Sequence, residues 1–129
     1  MSDSALTILL AHGSSDPLWL QPFFDLEQRI QARTKPVRLA FMELASPSLK
    51  DVIADARKNG FQRAVVLPLF FAAGRHLRID VPRQIEQLTQ QWQMDIQLLP
   101  PIGEHSLLSD AIVRIAGEAI DASQPSDRT

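Results

Sequence analysis

The chain contains no cysteine. Disulfides, thiolate zinc sites and cysteine-ligated iron–sulfur clusters are therefore excluded, and any metal must be held by nitrogen and oxygen. No run approaches the roughly 18 apolar residues that a membrane span needs, and no basic N-terminal segment leads into a long apolar stretch. No membrane partner is expected, and the protein is read as cytoplasmic. An excess of one charge is missing as well. Thirteen Lys and Arg stand against fifteen Asp and Glu, a formal net charge of -2. No global basic field draws this chain to nucleic acid, so an anionic ligand needs a local cluster. Glycine is sparse, at five residues, and neither G-x-G-x-x-G nor G-x-x-x-x-G-K-[ST] occurs. The loop Gly13-Ser14-Ser15-Asp16-Pro17 places Asp16-Pro17 where phosphate-binding amides would be wanted, which disfavours a nucleotide-binding module.

What is present is a 129-residue chain that is 45% hydrophobic, enough for one domain with a buried core. Short strand-like runs alternate with helical ones four times. Ala5–Ala11 and 64–71 are continuously apolar, as central parallel strands covered on both faces should be. Val37–Glu43 is a third run, and Met94-Asp95-Ile96-Gln97-Leu98 alternates like an edge strand. The helices are expected around Phe23, Leu26 and Ile30, with Pro22 in the first turn; around Leu49, Val52, Ile53 and Ala56, with Ser46 as N-cap, Pro47 at the first position and Gly60 past the end; around Val81, Ile85, Leu88 and Trp92, capped by Asp80; and around Leu108, Ile112, Ile115 and Ala119. Alternating βαβα with right-handed crossovers predicts a doubly wound α/β fold, a four-stranded parallel sheet in the order 2-1-3-4 with helices on both faces. Residues 1–120 are expected to form this domain and residues 121–129 a polar, disordered tail.

Histidine is scarce, with three in the chain, and two of them stand where the central strands run out. His12 closes the first run; His76 follows the third across Ala72-Ala73-Gly74-Arg75. The switch point of a 2-1-3-4 sheet lies between those two strands, where ligands of open α/β sheets bind. Glu43 ends the neighbouring run. Two imidazoles and a carboxylate suit a borderline divalent ion such as Co²⁺, Ni²⁺, Fe²⁺ or Zn²⁺. Arg75, Arg78 and Arg83 cluster beside His76 as an anion-binding surface suited to carboxylates. Phe70, Phe71, Leu77 and Ile79 bracket it with apolar area fit for a flat ligand or a partner subunit. His105 either caps the last helix or touches ligand.

Leu10-Ala11-His12-Gly13-Ser14-Ser15-Asp16-Pro17, Phe41-Met42-Glu43-Leu44-Ala45-Ser46-Pro47, the stretch from Val66 to His76 with Asp80-Val81-Pro82, and Gly103-Glu104-His105-Ser106 together resemble the small CbiX/SirB-type class II chelatases in order and spacing. The resemblance covers Leu6 to about Ile120. It implies insertion of Co²⁺ or Fe²⁺, with Ni²⁺ also possible, into sirohydrochlorin on the way to cobalamin or siroheme. It further implies no nucleotide hydrolysis, no permanently bound cofactor, and a half-lobe completed by homodimerisation. On this resemblance His12, His76 and Glu43 are the metal-binding and catalytic residues; Ser14, Arg75, Arg78, Phe70, Phe71 and His105 are expected to contact the tetrapyrrole. One position departs from the family's common Gly-Gly-His: this chain has Gly74-Arg75-His76. The competing reading from the same pocket is a non-catalytic tetrapyrrole or metal carrier.

Overall fold

The computed structural model describes residues 5–33 and 36–123. Strands β1 (Ala5–Ala11), β2 (Val37–Phe41), β3 (Arg63–Pro68) and β4 (Asp95–Leu98) form one parallel sheet in the order β2-β1-β3-β4. The helices are α1 (Pro17–Gln31), α2 (Leu49–Lys58), α3 (Val81–Trp92) and α4 (Ser106–Ser123). Because side chains alternate along a strand, β1 serves two cores. Leu6, Ile8 and Leu10 meet Val52 and Ile53 of α2 and Ile85 and Leu88 of α3. Leu9 and Ala11 join Leu39 and Phe41 beneath Phe23, Phe24 and Ile30 of α1. Each fully buried aliphatic side chain of this kind contributes about 1.5–3 kcal/mol. The doubly wound reading, with helices on both faces, is borne out, and the sheet order reverses between β1 and β3 as expected.

Several local boundaries differ from the sequence expectations. α1 begins at Pro17, because Asp16 Oδ1 accepts from Leu18 N at 2.9 Å and Pro17 fills the first position, where its missing N–H costs nothing. Pro22 consequently lies inside the helix. α2 is capped by Ser48 rather than Ser46. Ser48 Oγ accepts from Asp51 N at 3.1 Å, and Asp51 Oδ2 accepts from Ser48 N at 3.3 Å, a reciprocal box. Pro47 stays in the loop, where its carbonyl accepts from Phe41 N. Asp80 is itself helical and makes no cap hydrogen bond, because a π-helical turn, His76–Asp80, runs directly into α3.

Three differences bear on the surface. Leu77, expected on an exposed loop, is a core residue at 5% exposure, whereas Phe71 and Ile79 are exposed. β3 is not covered equally on both sides: Ala64, Val66 and Pro68 are buried, while Val65 and Leu67 are only half-buried. The reason is that on the side of Val65 and Leu67 only the first turns of α4 come near Leu67, and none of the residues of α4 is buried. α4 also continues to Ser123, so residues 121–123 of the expected tail are helical; residues 124–129 lie outside the described residues. Among the described residues no helix is long and apolar enough to cross a membrane.

Candidate functional site

The ends of β1 and β2 leave the sheet together, with Met42 N donating to Ala11 O at 2.9 Å. Beyond them the chains converge on Gly13. A Cβ there would fall 1.9 Å from Glu43 O and 3.0 Å from the Ala45 side chain, so only glycine admits this approach. Gly13 N donates to Glu43 Oε2 at 2.9 Å, and His12 Nδ1 lies 3.3 Å from both carboxylate oxygens. Trp19 Nε1 donates to His12 O at 3.2 Å, and the Phe70 ring lies 4.5 Å from the imidazole, tilted by 35°. Leu44, next to Glu43, takes φ 65°, a strained conformation for leucine, and its side chain stands in solvent.

The second imidazole is held differently. Arg78 N donates to Gly74 O, winding the turn that follows β3, and His76 Nδ1 comes within 2.6 Å of Asp80 Oδ2 at i,i+4 spacing. An ionised carboxylate only accepts. Each Nδ1 therefore carries the proton when its imidazole is neutral, leaving Nε2 with a free lone pair.

The two pairs border adjoining hollows. One, of about 240 Å³, has Glu43, His76, Asp80 and Gln84 in its wall. The other, of about 170 Å³, has His12, Phe70, Arg75 and His76. His76 and Met42 belong to both walls. The expected trio of His12, Glu43 and His76 thus shares one sheet edge. Yet no group of three His, Asp or Glu side chains among the described residues is drawn close enough to enclose a metal. Each histidine is instead backed by its own carboxylate.

The remaining expected residues divide. Arg75 lines the hollow beside His12, whereas Arg78 lines neither hollow. Both are exposed and form no ion pair with any described residue. Phe70 lines the His12 hollow, and Phe71 stands exposed beside it in sequence. Ser14 Oγ accepts from Asp16 N at 3.0 Å, so its hydroxyl shapes the turn before α1. His105 stands apart from the hollows: its Nδ1 accepts from Leu107 N at 3.1 Å, and it lines an apolar groove under α4. Its capping alternative is the one the geometry supports. Sequence reasoning missed Asp80 as a partner of His76, although i,i+4 spacing was legible. It also missed Trp19, whose indole N–H reaches His12 O from the start of α1, a contact that only the fold discloses.

Fold and site together define a doubly wound α/β protein with two carboxylate-backed imidazoles at the switch point. The chain belongs to the CbiX family, whose model matches residues 6–119. It is similar to the sirohydrochlorin cobaltochelatase of Sulfurisphaera tokodaii, at 26% identity over 90% of this chain and 94% of that protein. Among solved structures, a cobalamin (vitamin B12) biosynthesis CbiX protein from Marinobacter aquaeolei VT8 superposes with a TM-score of 0.85 and 41% identity, over 93% of this chain and 100% of that one. The fold also recurs in the sirohydrochlorin chelatase SirB of Bacillus subtilis subspecies spizizenii, solved in complex with cobalt. There the TM-score is 0.74 and the identity 23%, over 89% of this chain but 51% of the SirB chain.

Proposed function

We propose that this protein is a sirohydrochlorin chelatase, a lyase that inserts a divalent metal into the tetrapyrrole without nucleotide hydrolysis. The observation that carries the reading is the pair of carboxylate-backed imidazoles, His12–Glu43 and His76–Asp80, at the sheet's switch point. Metalation releases two pyrrole protons as the ion enters. A neutral imidazole with Nδ1–H on a carboxylate offers Nε2 as the base, and the carboxylate stabilises the imidazolium that forms. Metal capture and release favour the same arrangement: ligands split between two carboxylate-backed pairs bind a divalent ion transiently, whereas a closed three-ligand site would retain it. Co²⁺ and Fe²⁺ are the proposed metal substrates, with Ni²⁺ acceptable to the same nitrogen and oxygen donors. Product feeds cobalamin or siroheme formation in the cytoplasm, and no cofactor is permanently bound. Arg75, at the hollow's edge and without an ion pair to any described residue, receives a peripheral carboxylate; Phe70, Phe71 and Trp19 present apolar faces to the macrocycle.

Both hollows are smaller than the roughly 300–1,000 Å³ of ordinary ligand pockets. A tetrapyrrole therefore needs a second wall. SirB carries about as much chain again beyond the matched part, which supports a homodimer here, two copies supplying what one longer chain contains. The test is absorbance of sirohydrochlorin with each metal in turn, with and without purified protein. Metalation above the spontaneous rate is expected; saturable binding of tetrapyrrole or metal without turnover would make the protein a carrier instead.

A further inference from the structure

At its C-terminal end β1 bonds to both neighbours: Leu10 O accepts from Leu69 N at 2.8 Å, and Ala11 O from Met42 N at 2.9 Å. The next peptide, between His12 and Gly13, lies beyond the sheet and has no strand to hold it. Side chains take up its two polar groups instead. The carbonyl of His12 accepts from Trp19 Nε1 at 3.2 Å, and the N–H of Gly13 donates to Glu43 Oε2 at 2.9 Å. Among the described residues these are the only hydrogen bonds that peptide makes. In a trans peptide C=O and N–H point in opposite directions. One rigid plane is therefore pinned from two sides, by α1 and by the loop after β2.

The two pins belong to one framework. Trp19 stands in the first turn of α1, where Asp16 Oδ1 accepts from Leu18 N and Asp16 O from Trp19 N. One turn on, the Phe23 ring lies 6.2 Å from the indole and 6.5 Å from Phe41, edge-on to the latter. Phe41 is the last residue of β2, two before Glu43. Packed rings thus set the indole relative to Glu43, independently of the turn that joins β1 to α1. Trp19 is also about half exposed, at 51%, so its indole does more to hold this peptide than to fill the core.

The consequence falls on His12. Glu43 presents both carboxylate oxygens to His12 Nδ1 at 3.3 Å, a longer contact than its 2.9 Å bond to Gly13 N. The amide holds the carboxylate more closely than the imidazole does, and the indole fixes the plane that aims this amide. A hydrogen bond received by the carbonyl further polarises the peptide and strengthens its N–H as a donor. We infer that Trp19 is a positioning residue: through the His12–Gly13 peptide it keeps the Glu43 carboxylate against His12 Nδ1, and so keeps the lone pair on Nε2. The inference rests on the chelatase reading for what His12 does, but not for the contact itself.

Trp19→Phe keeps an aromatic ring and removes the N–H. Benzothienylalanine at position 19 keeps the whole bicyclic shape and exchanges only that N–H for sulfur. Either change should lower kcat for sirohydrochlorin metalation about 3- to 10-fold, the reach of one neutral hydrogen bond, with KM held in the benzothienylalanine form. In a Glu43→Ala background the same change should cost nothing further, because the route through Gly13 N is already cut. A raised KM at native kcat would make Trp19 a substrate contact alone, and an equal loss with and without Glu43 would make it a general prop of the turn; either overturns the inference. Proton NMR reads the contact without turnover: the Gly13 amide resonance, downfield in the native chain because its acceptor is charged, should move upfield in both position-19 forms. An unmoved Gly13 amide overturns the inference even if the rate falls. A native chain that binds sirohydrochlorin without turnover overturns the chelatase reading, and the Gly13 shift then decides the clamp on its own.

Discussion

His76 Nδ1 lies 2.6 Å from Asp80 Oδ2, one turn further along the same helical segment. In the proposed mechanism this contact fixes the ring's tautomer and supports the imidazolium that proton abstraction would create. Asp80→Asn should therefore lower kcat for metalation about 10- to 100-fold, the usual range for such a supporting carboxylate, with KM little changed. The His76→Ala/Asp80→Asn double variant should be no slower than His76→Ala alone, because residues that act as one unit are not additive. Additive losses in steady-state kinetics would detach Asp80 from His76.

His12 and His76 are themselves the sharper targets. Replacing either by alanine should reduce enzyme-dependent metalation about 10²-fold or more, the scale of a lost general base. Both side chains are largely exposed, so the thermal midpoint should hardly move. Glu43→Gln keeps an acceptor for Gly13 N but loses the charge facing His12, and should cost about 10- to 100-fold in rate. Near-native turnover in both histidine variants would remove the proposed mechanism.

The switch-point site was legible because two scarce histidines ended two continuously apolar runs, and the strand order followed from which runs were apolar throughout. Glu43 was reachable by the same logic, as the terminus of the neighbouring run. What the residues did not disclose was pairing. His12 meets Glu43 across 31 positions through a glycine contact that depends on the register of β1 and β2. Asp80 competes for two roles at once, helix cap and histidine partner, and only the π-helical turn decides between them. The Ser48–Asp51 capping box was written in the sequence, yet Ser46-Pro47 imitates a helix start two residues earlier. α4 misled for a further reason: its apolar periodicity predicts a packed helix, whereas none of its residues is buried in the domain.

Glycine positions separate backbone contact from mere motif. Gly13→Ala would drive a methyl group into the Glu43 carbonyl, and the β1 and β2 loops must move apart to accept it. A loss of roughly 3 kcal/mol is expected, about 10 °C or more in thermal midpoint for a domain of this size, together with loss of metalation. Gly74→Ala meets no atom within 4 Å and should leave the midpoint within about 2 °C of native, since surface changes of this kind stay within about 0.5 kcal/mol. Thermal melts of the two variants side by side provide the check; equal stability would mean that the Gly13–Glu43 approach is not a fixed feature of the fold.

Arg75 lines the hollow shared by His12 and His76 without an ion-pair partner among the described residues. On the proposed role, in which this guanidinium would hold a substrate carboxylate before and during the reaction alike, Arg75→Ala and Arg75→Gly should raise KM several-fold and change kcat less. Arg78, which lines neither hollow, should have the weaker effect. Added salt should raise KM for the native protein more than for Arg75→Ala, because an exposed charge pair is screened over about 8 Å at physiological ionic strength. Initial rates against sirohydrochlorin concentration at two salt levels separate these terms. If Arg75→Gly instead lowers KM and raises kcat, the arginine obstructs the cleft, and a tetrapyrrole other than sirohydrochlorin becomes the better substrate for this chain.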